Sequence, residues 1–212
     1  MRKLILVIFL VGFSRVFASF EIDILGQLTA TTSFPMQQLK TAKIKGSTEA
    51  IFGAAIQIGN KFSMTNALKG ISLLADIRIE QESIAITLPG ETKMVRKTTG
   101  LNAGLGLTTK FIFGSVNSLV PRDTILGFGL GAKVLANVTL STSIPAITPF
   151  IDVFVEQRFF VSRKLALVCG IHIGGDMTLY QSTDVGILFN GMYISAYPSL
   201  NIGLSVGLHF GH

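Results

Sequence analysis

The tightest constraint on this chain is a series of strictly alternating segments in which one parity carries no ionised side chain. Between residues 20 and 31, Phe20, Ile22, Ile24, Gly26, Leu28 and Ala30 share one parity, and Glu21, Asp23, Leu25, Gln27, Thr29 and Thr31 the other. Successive side chains of a strand point to opposite faces, so a period of two predicts a strand. The same division recurs at 50–59, 71–80, 100–113, 124–140, 147–161, 165–180 and 200–210, which predicts eight strands. Over these windows the apolar parity has 54 positions and not one Asp, Glu, Lys or Arg, whereas the other has 51 positions and 11 of them. No helical period and no longer repeat intervenes.

A soluble barrel turns an apolar lumen inward and its charges to water. Here only 14% of the 212 residues are charged and the mean hydropathy is +0.57, against roughly 25% charged residues in an average soluble domain. The arrangement therefore has to be reversed, with charge inside and apolar side chains facing lipid. Lipid offers no partner to backbone polar groups, so such a sheet must close on itself. The fold class expected is all-β, a transmembrane eight-stranded antiparallel up-and-down β-barrel. No apolar run reaches the roughly 18 residues expected of a spanning helix.

The first 18 residues read as a secretory signal peptide. Arg2 and Lys3 precede the apolar run Leu4 to Val11, and Val16-Phe17-Ala18 offers a cleavage site. Domain organisation is then 1–18 signal peptide and 19–212 outer-membrane barrel. Cleavage would remove Arg2, Lys3 and Arg15 and lower the formal net charge from +6 to +3, so the basic balance does not indicate nucleic acid. The single Cys excludes a disulfide framework.

Link lengths orient the barrel. The links 32–49, 81–99 and 181–199 are long and 141–147 is shorter; 60–70, 114–123 and 162–164 alternate with them. Outer-membrane barrels keep short turns in the periplasm and long loops outside, so the first set is expected at the exterior. Phe20, Phe111, Phe113, Phe128, Phe159 and Phe210 lie on the lipid parity near the periplasmic ends and read as one aromatic girdle. Tyr180, Tyr193 and Tyr197 fall near the outer rim.

In the last window Leu200, Ile202, Leu204, Val206, Leu208 and Phe210 alternate with Asn201, Gly203, Ser205, Gly207 and His209. This looks like the C-terminal signal read by the barrel-insertion machinery, although Gly211 and His212 follow the aromatic residue. With eight strands and a leader, the mature chain resembles the small outer-membrane barrels of the OmpW and OmpX/OmpA type. The resemblance implies an outer-membrane location, lipid as the surrounding partner, and a monomer. An OmpW-like barrel would pass small hydrophobic solutes sideways into the membrane. An OmpX-like one would act as an adhesin or structural barrel through its loops.

The lumen parity carries Glu21, Asp23, Asp76, Arg78, Glu80, Lys110, Lys133, Asp152, Glu156, Arg158 and Asp176, seven acidic and four basic. An eight-stranded lumen is just wide enough for side chains to fill, so these read as a salt-bridge plug. Arg78 and Arg158 are the expected hubs, because a guanidinium can bridge two carboxylates. Gly100, Gly104, Gly106, Gly127, Gly129 and Gly131 point inward from neighbouring strands, which leaves either close packing or a ligand-sized groove. Leu25, Ile51, Leu135, Phe150 and Phe154 are apolar lumen residues that could line a greasy pocket above the plug.

Catalysis is not expected, nor any cofactor or metal. His172 and Asp176 share a face but stand about 13 Å apart at the strand rise, and His209 and His212 have no evident partner. Cys169 reads as an apolar filler on the lipid parity. Outer loops carry Lys40, Lys43 and Lys45, then Lys93, Arg96 and Lys97. These basic clusters suit lipid head groups or acidic host polymers as partners.

Overall fold

The computed structural model describes residues 18–33, 48–64, 68–86, 96–114, 121–136, 146–182, 187–189 and 192–211. The residues described are nearly all strand: β1 (Ala18–Ser33), β2 (Thr48–Ser63), β3 (Leu68–Ile86), β4 (Arg96–Gly114), β5 (Arg122–Ala136), β6 (Ala146–Ser162), β7 (Leu165–Ser182), β8 (Ile187–Phe189) and β9 (Met192–Phe210). Neighbours in sequence pair antiparallel from β1 to β7, β7 pairs with β9, and β9 returns to β1 from Ile22↔Phe210 to Ser33↔Ser199. That last ladder closes an eight-stranded barrel. The three-residue β8 pairs only with β9 and is an appendage of the β7–β9 connection.

Each alternating window falls on one barrel strand, except that residues 137–140 lie outside those described. Parity sorts the side chains as lipid demands. Leu105, Leu130, Ile151, Ile171 and Val206 are 69%, 49%, 51%, 56% and 62% exposed, while Glu21, Asp23 and Lys110 on the other parity are fully buried. The six phenylalanines of the girdle, Phe20, Phe111, Phe113, Phe128, Phe159 and Phe210, all face outward.

The strands outrun the windows, and two loop assignments change as a result. β3 and β4 each have 19 residues, about 60 Å at the strand rise, well beyond what a tilted strand needs to cross roughly 30 Å of hydrocarbon. Arg96 and Lys97, expected in a loop, stand in β4 opposite Ile86 and Ala85. Likewise Tyr193 and Tyr197, expected in the link 181–199, belong to β9, while Tyr180 stands in β7 where its window placed it. The physical reason is that a backbone ladder needs only its partner strand. Apolar alternation is imposed only where the sheet faces hydrocarbon, so it fades before the pairing does. The leader at 1–17 and Lys40, Lys43, Lys45 and Lys93 lie outside the described residues.

An outward charge tests this arrangement directly. Leu130→Arg or Ile171→Arg should cost about 2 to 4 kcal/mol of folding stability in lipid, whereas Ile171→Leu should be nearly neutral. Urea titration of the folded barrel, read by the mobility shift between heated and unheated samples, checks both.

Candidate functional site: the lumen

Three layers of ion pairs fill the lumen, each built from strands on different walls. Nearest the short turns, Lys110 on β4 donates to Asp23 and Glu156 at 2.8 Å each. Arg158 on β6 donates to Asp23 at 3.0 Å and lies 3.5 Å from Glu21. Ser72 donates to Glu21 at 2.7 Å, and His209 Nδ1 lies 2.6 Å from Asp23 Oδ1. In the middle layer Arg78 bridges Asp76, at 2.9 Å, and Asp152, while Gln57 and Thr108 donate to Asp76 at 3.0 and 3.1 Å. In the upper layer Lys133 donates to Glu80 and Asp176 at 2.9 Å each, and Asn201 and Ser199 also donate to Asp176.

All four lumen cations therefore sit between two carboxylates. This matters because the attraction within a buried pair must offset the desolvation of both ions, which it does only when further hydrogen bonds complete the geometry. The neutral donors Ser72, Gln57, Thr108, Ser199 and Asn201 supply those bonds, and nothing in the sequence singled them out. Their only signal was an inward parity shared with the charges. The expectation that His209 lacks a partner fails: closure of β9 on β1 makes His209 the register partner of Asp23, 186 positions away in sequence. His172 is not near Asp176 in the plug but hydrogen-bonds Thr29, Nε2 to Oγ1, at 2.9 Å.

Phe150 and Phe154 from β6, with Lys133 from β5, occupy the volume that the glycines leave free. A Cβ placed on Gly131 or Gly106 would lie 2.7 or 3.0 Å from Phe150 Cζ, one on Gly104 would lie 2.9 Å from Lys133 Cγ, and one on Gly127 would strike the Phe154 ring. The glycine wall is thus a bed for Phe150, Phe154 and the cations rather than a groove. Arg78 then caps the Phe150 ring with its Cζ 4.2 Å from the centroid, and Lys110 approaches Phe154 at 5.3 Å. Such cation–π contacts gain strength when water is excluded.

The described members of the apolar set do not assemble into one pocket. Leu25 packs with Ala55 and Val168, and Phe154 with Ile112 and Ile125, in separate clusters. Ile51 and Phe150 reach the same cavity, of about 20 Å³, but share its wall with Glu80, Lys133, Asp152 and His172. Leu135 stands in β5 opposite Asn102 and Ala146, and its side chain is outside those described. Thr31 Oγ1, His172 Nδ1 and Asn201 Oδ1 are buried without a hydrogen-bond partner among the described residues, on residues that line this cavity. A space of this size with three polar contacts suits one water molecule.

Two substitutions separate the plug from its bed. Arg78→Met strands Asp152 and should destabilise the barrel by about 3 to 5 kcal/mol, and adding Asp152→Asn should recover part of that loss. Gly127→Val should cost about 1 to 3 kcal/mol by overpacking, relieved when Phe154→Ala is combined with it. Urea midpoints in detergent read both pairs.

No protein-family model and no curated protein matches the sequence. Solved structures do resemble the fold. The chain is similar to the crystal structure of Neisserial surface protein A, with a TM-score of 0.50 and 12% identity over 89% of this chain and 96% of that one. The solid-state NMR structure of the outer membrane protein AlkL in DMPC bilayers aligns at TM-score 0.46 and 11% identity, over 92% and 90% of the two chains. Ail, the attachment invasion locus protein of Yersinia pestis, in complex with the heparin analogue sucrose octasulfate, aligns at 0.41 and 10% over 90% and 99%. Closed ladder, apolar exterior, charged lumen and likeness to Neisserial surface protein A together make this chain a small eight-stranded β-barrel of the outer membrane.

Proposed function

We propose that this barrel is a sealed scaffold that works at its long-loop end, binding acidic polymers at the cell surface, rather than a passage for solutes. The observation that carries this reading is the filled lumen. Among the described residues, its cavity beside Ile51 and Phe150 is about 20 Å³, against roughly 300–1,000 Å³ for a site that takes a small organic ligand. A passage for small hydrophobic compounds would need Leu25, Ile51, Phe150 and Phe154 to meet beside an open glycine wall. Instead two of them are locked in separate clusters, and Phe150 and Phe154 themselves cover the glycines.

The loop end has the charge that the reading needs. Lys40, Lys43 and Lys45 fall between β1 and β2, and Lys93 between β3 and β4. Arg96 and Lys97 begin β4 at the same end of the barrel. Clustered cations raise the local concentration of a polyanion and hasten its capture. The same reading takes residues 1–18 as a cleaved leader and the C-terminal strand as the element that the insertion machinery engages.

Two measurements test it. Planar bilayers containing the protein should show no stable porin-sized conductance. Liposomes bearing it should retain a sulfated polysaccharide, with Lys40→Gln, Lys43→Gln and Lys45→Gln together reducing that retention at least tenfold. Protein-dependent uptake of a hydrophobic dye, with polysaccharide retention unchanged in the triple variant, would restore the passage instead.

A further inference from the structure

Among the residues whose side chains are described, the exposed charges have one sign and one location. Glu21, Asp23, Asp76, Glu80, Asp123, Asp152 and Glu156 are all buried, and the Asp176 side chain is 7% exposed. Lys69, Arg122, Arg163 and Lys164 are exposed, and all four lie at the rim of the short turns. Lys69 is engaged by Asp123 at 2.9 Å. The other three make no ion pair among the described residues, whose side chains present cations and no exposed carboxylate at this rim.

Their placement is specific. Arg122 opens β5 on the parity of Leu126, Phe128 and Leu130, the lipid-facing parity, and stands opposite the girdle residue Phe159. It is the one charged residue on that parity of β5 among those whose side chains are described. Arg163 and Lys164 form the two-residue turn between β6 and β7. That turn is tied down: Lys164 N donates to Ser162 Oγ at 3.3 Å, and Gly211 N donates to the Lys164 carbonyl at 3.1 Å. Phe159 and Arg163 are four residues apart, about 13 Å at the strand rise, so all three cations fall within the width of one or two lipid head groups. Phe113, Phe159 and Phe210, each 38–40% exposed, place this rim at head-group depth, where aromatic girdles settle.

We propose that Arg122, Arg163 and Lys164 form a binding site for the phosphate-bearing head group of an anionic phospholipid. A guanidinium offers a planar pair of donors to a phosphodiester. The stem of Arg122 lies along the apolar wall while its head reaches the interface. With the short turns periplasmic, the ligand is a phospholipid of the inner leaflet. The site is at the opposite end of the barrel from the loops invoked above, so it stands or falls separately from them.

The experiment is native mass spectrometry of the folded protein in micelles doped with phosphatidylglycerol or phosphatidylcholine. The wild type should retain phosphatidylglycerol preferentially, and Arg122→Gln, Arg163→Gln and Lys164→Gln should each lower that preference about fivefold. Heat-modifiable mobility verifies folding of each single variant, so a variant that fails to fold leaves the other two as the test. Neutralising Lys40, Lys43 and Lys45 should leave the preference intact. Equal retention of both lipids by the wild type overturns the proposal, as does an unchanged preference in the folded variants. So does loss of binding to purified peptidoglycan in those variants while the lipid preference persists, which would assign the rim to the cell wall.

Discussion

Hydrocarbon can neither hydrogen-bond a peptide group nor solvate a charge, and the rest of this structure follows from that. Every strand facing lipid must find both neighbours, so β9 returns to β1 and the sheet has no free edge inside the membrane. Every ionised side chain within the span must turn inward, so the lumen collects the seven carboxylates and four Lys or Arg side chains of the alternating windows. Concentrating them there creates the next problem, because an unpaired charge in a narrow dry lumen costs several kcal/mol.

The solution is a shared arrangement. Arg78, Lys110, Lys133 and Arg158 each stand between two carboxylates, and hydroxyl and amide donors add hydrogen bonds to Glu21, Asp76 and Asp176. Because the partners come from different walls, the same bonds that satisfy the charges also brace the cylinder across its interior. Asp23 alone connects β1 with β4, β6 and β9. Removing Lys110 strands Asp23 on β1 and Glu156 on β6, and removing Lys133 strands Glu80 on β3 and Asp176 on β7.

Side-chain volume is distributed to match. β4 and β5 contribute glycines exactly where β6 contributes Phe150 and Phe154, and the rings in turn carry Arg78, Lys110 and Lys133 on their faces. Among the described residues this packing leaves a cavity of about 20 Å³ beside Ile51 and Phe150, which is why the proposed function is placed at the ends of the barrel. One end carries the lysine-bearing links, and the other presents Arg122, Arg163 and Lys164 at head-group depth.

The amino-acid sequence by itself determined the strands, their number and which side of each meets lipid, because alternation is a local property and lipid allows no exception to it over a whole span. It also marked Arg78 and Arg158 as inward guanidiniums with carboxylates on the same parity. It could not determine which carboxylate meets which cation, since Arg158 and Asp23 are 135 positions apart and only the register of the five ladders from β1 to β6 sets them at one height. For the same reason it misplaced Arg96 and Lys97 in a loop, missed the partner of His209, and left open whether the glycines make a groove. Those outcomes depend on how far the backbone pairing continues past the membrane, on closure of the first strand against the last, and on what the opposite wall projects into the space. Only the closed barrel decides them.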